Sequence, residues 1–224
     1  MADLTIDDPP VPADLEATEF IDSDSAAVRD FVASTTAGCT DDRERAVALF
    51  EAVRDGIRYD PYDVSRDPAD YRASAVLAGT QRWCVPKSVL LTAACRAAGI
   101  PSRLGFSDVK NHLQSEKLGE NMGTDLFAWH GYSLIHLDGQ WRKASAAFNR
   151  SLCERFGTRV LEFDGRSDAL LHAFDDAGNR HMEYVADRGI HQDLPLDDIF
   201  ATFDVVYPDL GEGGSHTRDD MFHD

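Results

Sequence analysis

The stretch from Gly79 to Arg103 constrains the fold more than any other. It reads Gly-Thr-Gln-Arg-Trp-Cys-Val-Pro-Lys-Ser, continues through Val89 to Ala98, and closes with Gly99-Ile-Pro. Pro86 suits the first turn of a helix, where its missing N–H costs nothing. Gly99 suits the position just past a helix end, and Pro101 blocks continuation. The spacing therefore predicts one helix, punctuated at both ends, with Cys84 at its N-terminus.

That placement has chemical consequences. Thiolate is the nucleophilic form of cysteine, and unpaired N–H groups with the helix dipole favour negative charge at a helix start. The backbone N–H of Cys84, with a donor just upstream such as Gln81 or the Trp83 indole, would form an oxyanion hole. Cys39, Cys95 and Cys153 read as inert thiols. Cys95 lies eleven residues along the same helix, about 16 Å away, so it cannot form a disulfide with Cys84.

A nucleophilic cysteine needs a base, and His130 has the right surroundings. Leu126 to Leu137 and Gln140 to Phe148 read as two strands joined by Asp138-Gly139, a two-residue hairpin signal. In that register His130 faces Ala147, and Ser145 and Asn149 are its diagonal neighbours on one face. One strand presents the base and the next offers it an orienting group. Other histidines are weaker candidates. His172, His181 and His191 lack metal-ligand spacing, and His112 reads as a surface residue. No metal or cofactor is expected. Trp129 and Trp141 read as core.

Elsewhere the chain alternates helices and loops. Residues 1 to 22, with Pro9, Pro10 and Pro12, read as an extended arm. A helix is expected from about Ser23 to Ala37, stopped by Gly38. A second follows Thr40, with Ala46, Leu49, Phe50, Val53 and Ile57 forming its buried stripe. The segment from Ile57 to Tyr71 reads as a loop. A strand is expected from Arg103 to Val109, then a polar loop to about Thr124. Residues 151 to 224 mix short strands and turns, with a disordered tail.

These motifs resemble the transglutaminase-like superfamily. Trp83-Cys84 opens a helix that closes with Arg-Ala-Ala-Gly-Ile-Pro-Ser-Arg (96 to 103). His130 is followed by Asp138-Gly139-Gln-Trp141. The flanks resemble a prokaryotic subgroup: Ala52 to Tyr62, Lys143 to Asn149, Phe163 to Asp168 and His181 to Tyr184. The resemblance implies an α+β, papain-like fold whose nucleophile helix packs on an antiparallel sheet. It divides the chain into an arm and helix (1–39), a core (40–150) and a family-specific extension (151–224). It also implies a Cys-His site that forms an acyl-enzyme. One departure stands out. The superfamily's triad aspartate falls at Ser145, as a hydroxyl residue does in the subgroup. A serine orients the imidazole but supplies no charge. Ser145 and Asn149 are the first candidates to steady His130, and Asp164, Asp168 or Glu183 would have to reach in from the extension.

Composition narrows the partners. Acidic residues number 40 against 22 basic ones, a net charge of -18. Nucleic acid and anionic membrane are excluded, because both need a basic patch. Of the acids 30 are Asp, and only 4 of the bases are Lys, a texture that suggests a halophilic source. With no leader, no apolar span and free thiols, a soluble cytoplasmic protein is expected. Its substrate would be a peptide, a protein or a small amide. The rival reading is a non-catalytic binding module that keeps the fold.

Overall fold

The computed structural model describes residues 4–111, 124–171 and 182–207. At its centre is the helix foreseen from the punctuation, here α4 (Cys84–Ala97), and every residue from Cys84 to Arg96 is buried. A helix apolar nearly all round belongs inside a protein, and four elements enclose this one. They are α1 (Ala26–Thr35), α2 (Asp42–Gly56), α3 (Ala73–Ala78) and a sheet. The helix ends as its sequence dictates. Gly99 sits at φ +79°, its N–H meets the Arg96 carbonyl, and the Ile100 N–H meets that of Cys95, the paired bonds of a Schellman cap. The polar residues of α4 are all bonded: Thr92 to Ser133 at 2.9 Å, Arg96 to the carbonyls of Ser102, Glu16 and Gln192.

The sheet has four antiparallel strands in the order β5-β4-β3-β6. These are β3 (Ser102–Asn111), β4 (Leu126–Leu137), β5 (Gln140–Ala144) and β6 (Met182–His191). β4 and β5 form the expected hairpin, with Leu137 opposite Gln140. Asp138 and Gly139 both have positive φ, +50° and +78°, as a type I′ turn requires. The fourth strand comes from the 151–224 segment, so that segment completes the sheet. Helix α5 (Arg150–Phe156) lies against α2, and α6 (Leu196–Val206) against β4. A short parallel pair joins β1 (Arg58–Tyr59), inside the stretch read as a loop, to β2 (Gln81–Arg82), just before α4.

Two features that bear on the site and the arm differ from the sequence reading. The β5 ladder stops at Ala144 rather than running on to Phe148, because the chain there pairs with residues 168–169. The Lys143 N–H meets Asp168 Oδ1, the Ala169 N–H the Lys143 carbonyl, and the Ser145 N–H the Ala169 carbonyl. The N-terminal arm is also firmly seated: Asp14 and Arg103 are both fully buried and ion-paired at 2.9 Å.

Candidate active site

Cys84 is the first residue of α4. Its N-cap, Trp83, makes no side-chain capping bond, so the first N–H groups of the helix are left for another acceptor. The Cys84 sulfur takes that place: the N–H groups of Cys84 itself, of Val85 and of Gly131 all face it. Gly131 is the residue after His130. It lies where β4 touches the helix, and a Cβ there would stand 2.6 Å from Ser88 Oγ and 3.2 Å from Val85 Cα. Only glycine lets the helix start come this close.

The hairpin register explains why the Gly131 N–H is available. Leu137 and Gln140 flank the two-residue turn as a hydrogen-bonded pair. Alternate residues of β4, Ile135, Ser133 and Gly131, therefore point their N–H groups toward β5. Because β5 stops at Ala144, opposite Ser133, the edge beside Gly131 is open. The sulfur sits at that opening.

His130 is 5% exposed and Ser145 1%. His130 Nε2 lies 3.2 Å from Ser145 Oγ. If Nε2 carries the proton and donates to Ser145, Nδ1 keeps its lone pair for the thiol. Tyr184 packs edge-on against the imidazole, with ring centroids 6.3 Å apart. Burial governs both Cys84 and His130. It pushes the Cys84 thiol up to about 11, against the pull of the Gly131, Val85 and Cys84 N–H groups, and pushes His130 down to about 4. The resting pair is therefore neutral thiol and neutral imidazole, with no hydrogen bond between them. Lys87, one turn along α4, is fully buried and donates to the carbonyls of Arg54 and Ile57 at the end of α2. Burial lowers its ammonium to about 7, and its charge favours the Cys84 thiolate.

Several residues singled out from sequence are placed elsewhere. Asn149 does not reach His130: its Oδ1 accepts the Tyr59 N–H at 3.0 Å and its Nδ2 donates to Ser151. The early end of β5 takes Asn149 out of register. The Trp83 ring packs on Phe203 and Tyr71, and its buried indole N–H has no hydrogen-bond partner among the described residues. Gln81 stands in β2, opposite Arg58. Asp164 caps the turn at Arg166 and Ser167, and Asp168 holds the Lys143 N–H, so neither lends charge to His130. Glu183 lies on β6 opposite Lys110. His191 bonds the Arg188 carbonyl, while His112, His172 and His181 fall outside the described residues. Gly131 was missed from sequence. The signal was a glycine next to the candidate base in a strand, where glycine marks close backbone approach.

A pocket of about 470 Å³ opens on the sheet face away from α4, lined in part by Ser107, Tyr132, Lys143 and Tyr184. Ser107 pairs with His130 in the β3–β4 register, and Tyr184 touches its ring, so the pocket adjoins His130.

The profile of the transglutaminase-like superfamily matches residues 29–146, more than half of the chain and the whole of the Cys84–His130–Ser145 arrangement except its last strand. The chain belongs to the transglutaminase-like superfamily. This is a family of cysteine-dependent enzymes with a papain-like α+β core, and the antiparallel sheet and central helix conform to it. No curated protein sequence matches. Among solved structures, similar chains include a candidate cysteine protease from Cytophaga hutchinsonii, at 16% identity and TM-score 0.46, over 62% of this chain and 45% of that one. An arylamine N-acetyltransferase from Mycobacterium abscessus aligns at 14% identity and TM-score 0.39, over 62% and 47%. A candidate protease from Parabacteroides distasonis aligns at 16% and 0.40, over 60% and 26%. The chain thus spans less than half the length of each.

Proposed function

We propose that this member of the superfamily hydrolyses or transfers the acyl group of an amide, with Cys84 as nucleophile and His130 as base. One observation carries the reading: the sulfur lies among three backbone N–H groups, one of which belongs to the residue next to a histidine already steadied by Ser145. In this scheme His130 Nδ1 takes the thiol proton as the sulfur attacks the carbonyl carbon. The negative charge moves to the carbonyl oxygen, where the N–H groups of Cys84 and Gly131 stabilise it. His130 then gives the proton to the departing amine, leaving a thioester. Water or a second amine, deprotonated by the same imidazole, takes the acyl group and restores the thiol. The pocket beside Tyr184 has room for part of a peptide or a small amide.

The neutral resting pair favours general-base attack over a standing thiolate–imidazolium pair. The two pKa values, about 11 and about 4, lie far apart in the wrong order, and a gap of several units costs several kcal/mol to invert. The same observation favours the rival reading, a binding module without chemistry. Site-resolved alkylation of Cys84 by iodoacetamide, read by mass spectrometry, separates the two. With a working base the rate stays nearly flat from about pH 5 to 8, because His130 is already neutral there. In His130→Ala it should rise about tenfold per pH unit, as for a bare thiol. Identical slopes in both proteins would establish the binding module.

A further inference from the structure

We propose that Asp108 is a positioning residue for His130, acting through a bulge that it holds open in β4; this rests on reading His130 as the base. Strict alternation is the starting point. Gly131 faces α4, whereas Tyr132 clusters with Leu134 and Trp141 on the opposite face. His130 should then point away from the helix with Tyr132. The direction of its side chain relative to the sulfur depends on how β4 twists at that point.

One residue earlier the strand is irregular. Ser107 pairs with His130 and Val109 with Phe127, so Ala128 and Trp129 together stand opposite Asp108 alone. A bulge of this kind bends a strand and re-aims the side chains next to it. Trp129 has φ +59°, a left-handed conformation that bulky residues rarely adopt. Its retention implies that the surroundings enforce it. Two side chains take the N–H groups that the bulge removes from the ladder. The Ala128 N–H donates to Tyr207 Oη at 2.7 Å, and the Trp129 N–H to Asp108 Oδ1 at 3.0 Å. Asp108 is itself fixed: it is 4% exposed, and Arg188 of β6 grips it through Nε at 2.8 Å and Nη2 at 2.6 Å. The same guanidinium lies 5.5 Å from the Trp129 ring, and the indole N–H donates to Thr202 of α6. The titratable groups around this clamp are Arg188 and His191 from β6 and the Tyr207 hydroxyl. Among the described residues, Asp108 is the only acid that bonds the bulge backbone.

The test replaces Asp108 by Ala and by Asn, and Arg188 by Gln, and reads Cys84 alkylation by iodoacetamide against pH. Asn keeps an acceptor for the Trp129 N–H, so Asp108→Asn should hold the flat region within about threefold. Asp108→Ala should lose at least tenfold at pH 6 and take the steep slope of His130→Ala, while circular dichroism shows a folded chain. Arg188→Gln, altering the part-exposed partner, should lie between, and it decides the matter should Asp108→Ala not fold. A flat region at wild-type height in both overturns the proposal. The His130 ring resonances give a readout independent of catalysis, and should move in Asp108→Ala but not in Asp108→Asn. If the wild type shows no His130-dependent flat region, the enzyme reading fails. Unmoved ring resonances in Asp108→Ala would then refute the positioning role separately.

Discussion

The hydroxyl at position 145 does for His130 what a neutral acceptor can do. It holds Nε2 at 3.2 Å and leaves the ring uncharged. Ser145→Ala should lower the flat-region rate of Cys84 alkylation about tenfold, the equivalent of one ordinary hydrogen bond, about 1.4 kcal/mol. Ser145→Asp tests the charge itself. A carboxylate beside Nε2 would favour the imidazolium and raise His130 from about 4, so the acid limb of the pH profile should move to higher pH. The neutral ring also leaves a mark on stability. Its folded pKa is below the unfolded value of about 6.5, so the unfolded chain binds the proton first. Stability should therefore fall as pH drops from about 6.5 to about 4, by up to about 3 kcal/mol. Acid unfolding of His130→Gln should be less steep in that window. At this scale the sequence made Cys84, His130 and Ser145 legible, because helix punctuation and hairpin register place them. Asn149 misled because it assumed that the ladder continued to 148.

The decisive element is the meeting of the α4 start with the open edge of β4. Its helix was readable from Pro86 and Gly99 and its hairpin from Asp138-Gly139. The stop of β5 was not, since it depends on residues 168–169 returning to pair with Lys143 and Ser145, a contact that no local pattern announces. Gly131→Ala tests the junction. Its Cβ would press on Val85 Cα, which is backbone, and on Ser88 Oγ, which is committed to the Val85 carbonyl at 2.7 Å. The strain should cost about 1–3 kcal/mol in thermal unfolding and, by pushing the helix start away from the Gly131 N–H, slow Cys84 alkylation at least tenfold. Gly139→Ala is the control. It strains a turn at φ +78° with open space around it, so it should destabilise by about 1 kcal/mol and leave alkylation unchanged. If both variants alkylate alike, the close approach has no bearing on the thiol.

Two kinds of electrostatics act on the molecule as a whole, and salt separates them. The surface carries a net charge of -18, and like charges repel over a Debye length of about 10 Å at 0.1 M salt but only about 3 Å at 1 M. Thermal stability should therefore rise with KCl across that range. The buried Asp14–Arg103 pair belongs to the other kind. Burial alone would raise the Asp14 carboxyl, but the bonds from Arg103, the Val11 N–H and Gln192 outweigh it and hold the group below its usual range. Arg103 also donates to the carbonyls of Thr5 and Pro9 and lies 4.2 Å from the Trp141 ring, so this pair fastens the N-terminal arm over the back of the sheet. From sequence the segment read only as an extended arm, because the partner of Asp14 lies 89 positions away. Asp14→Ala would strand a buried guanidinium and should cost about 3–5 kcal/mol. Since no solvent screens the pair, that deficit should be the same at 0.1 M and 1 M KCl while both proteins melt higher in the stronger salt. A deficit that shrinks as salt rises would mean that the pair works from the surface, and the arm would have to be held by its apolar contacts instead.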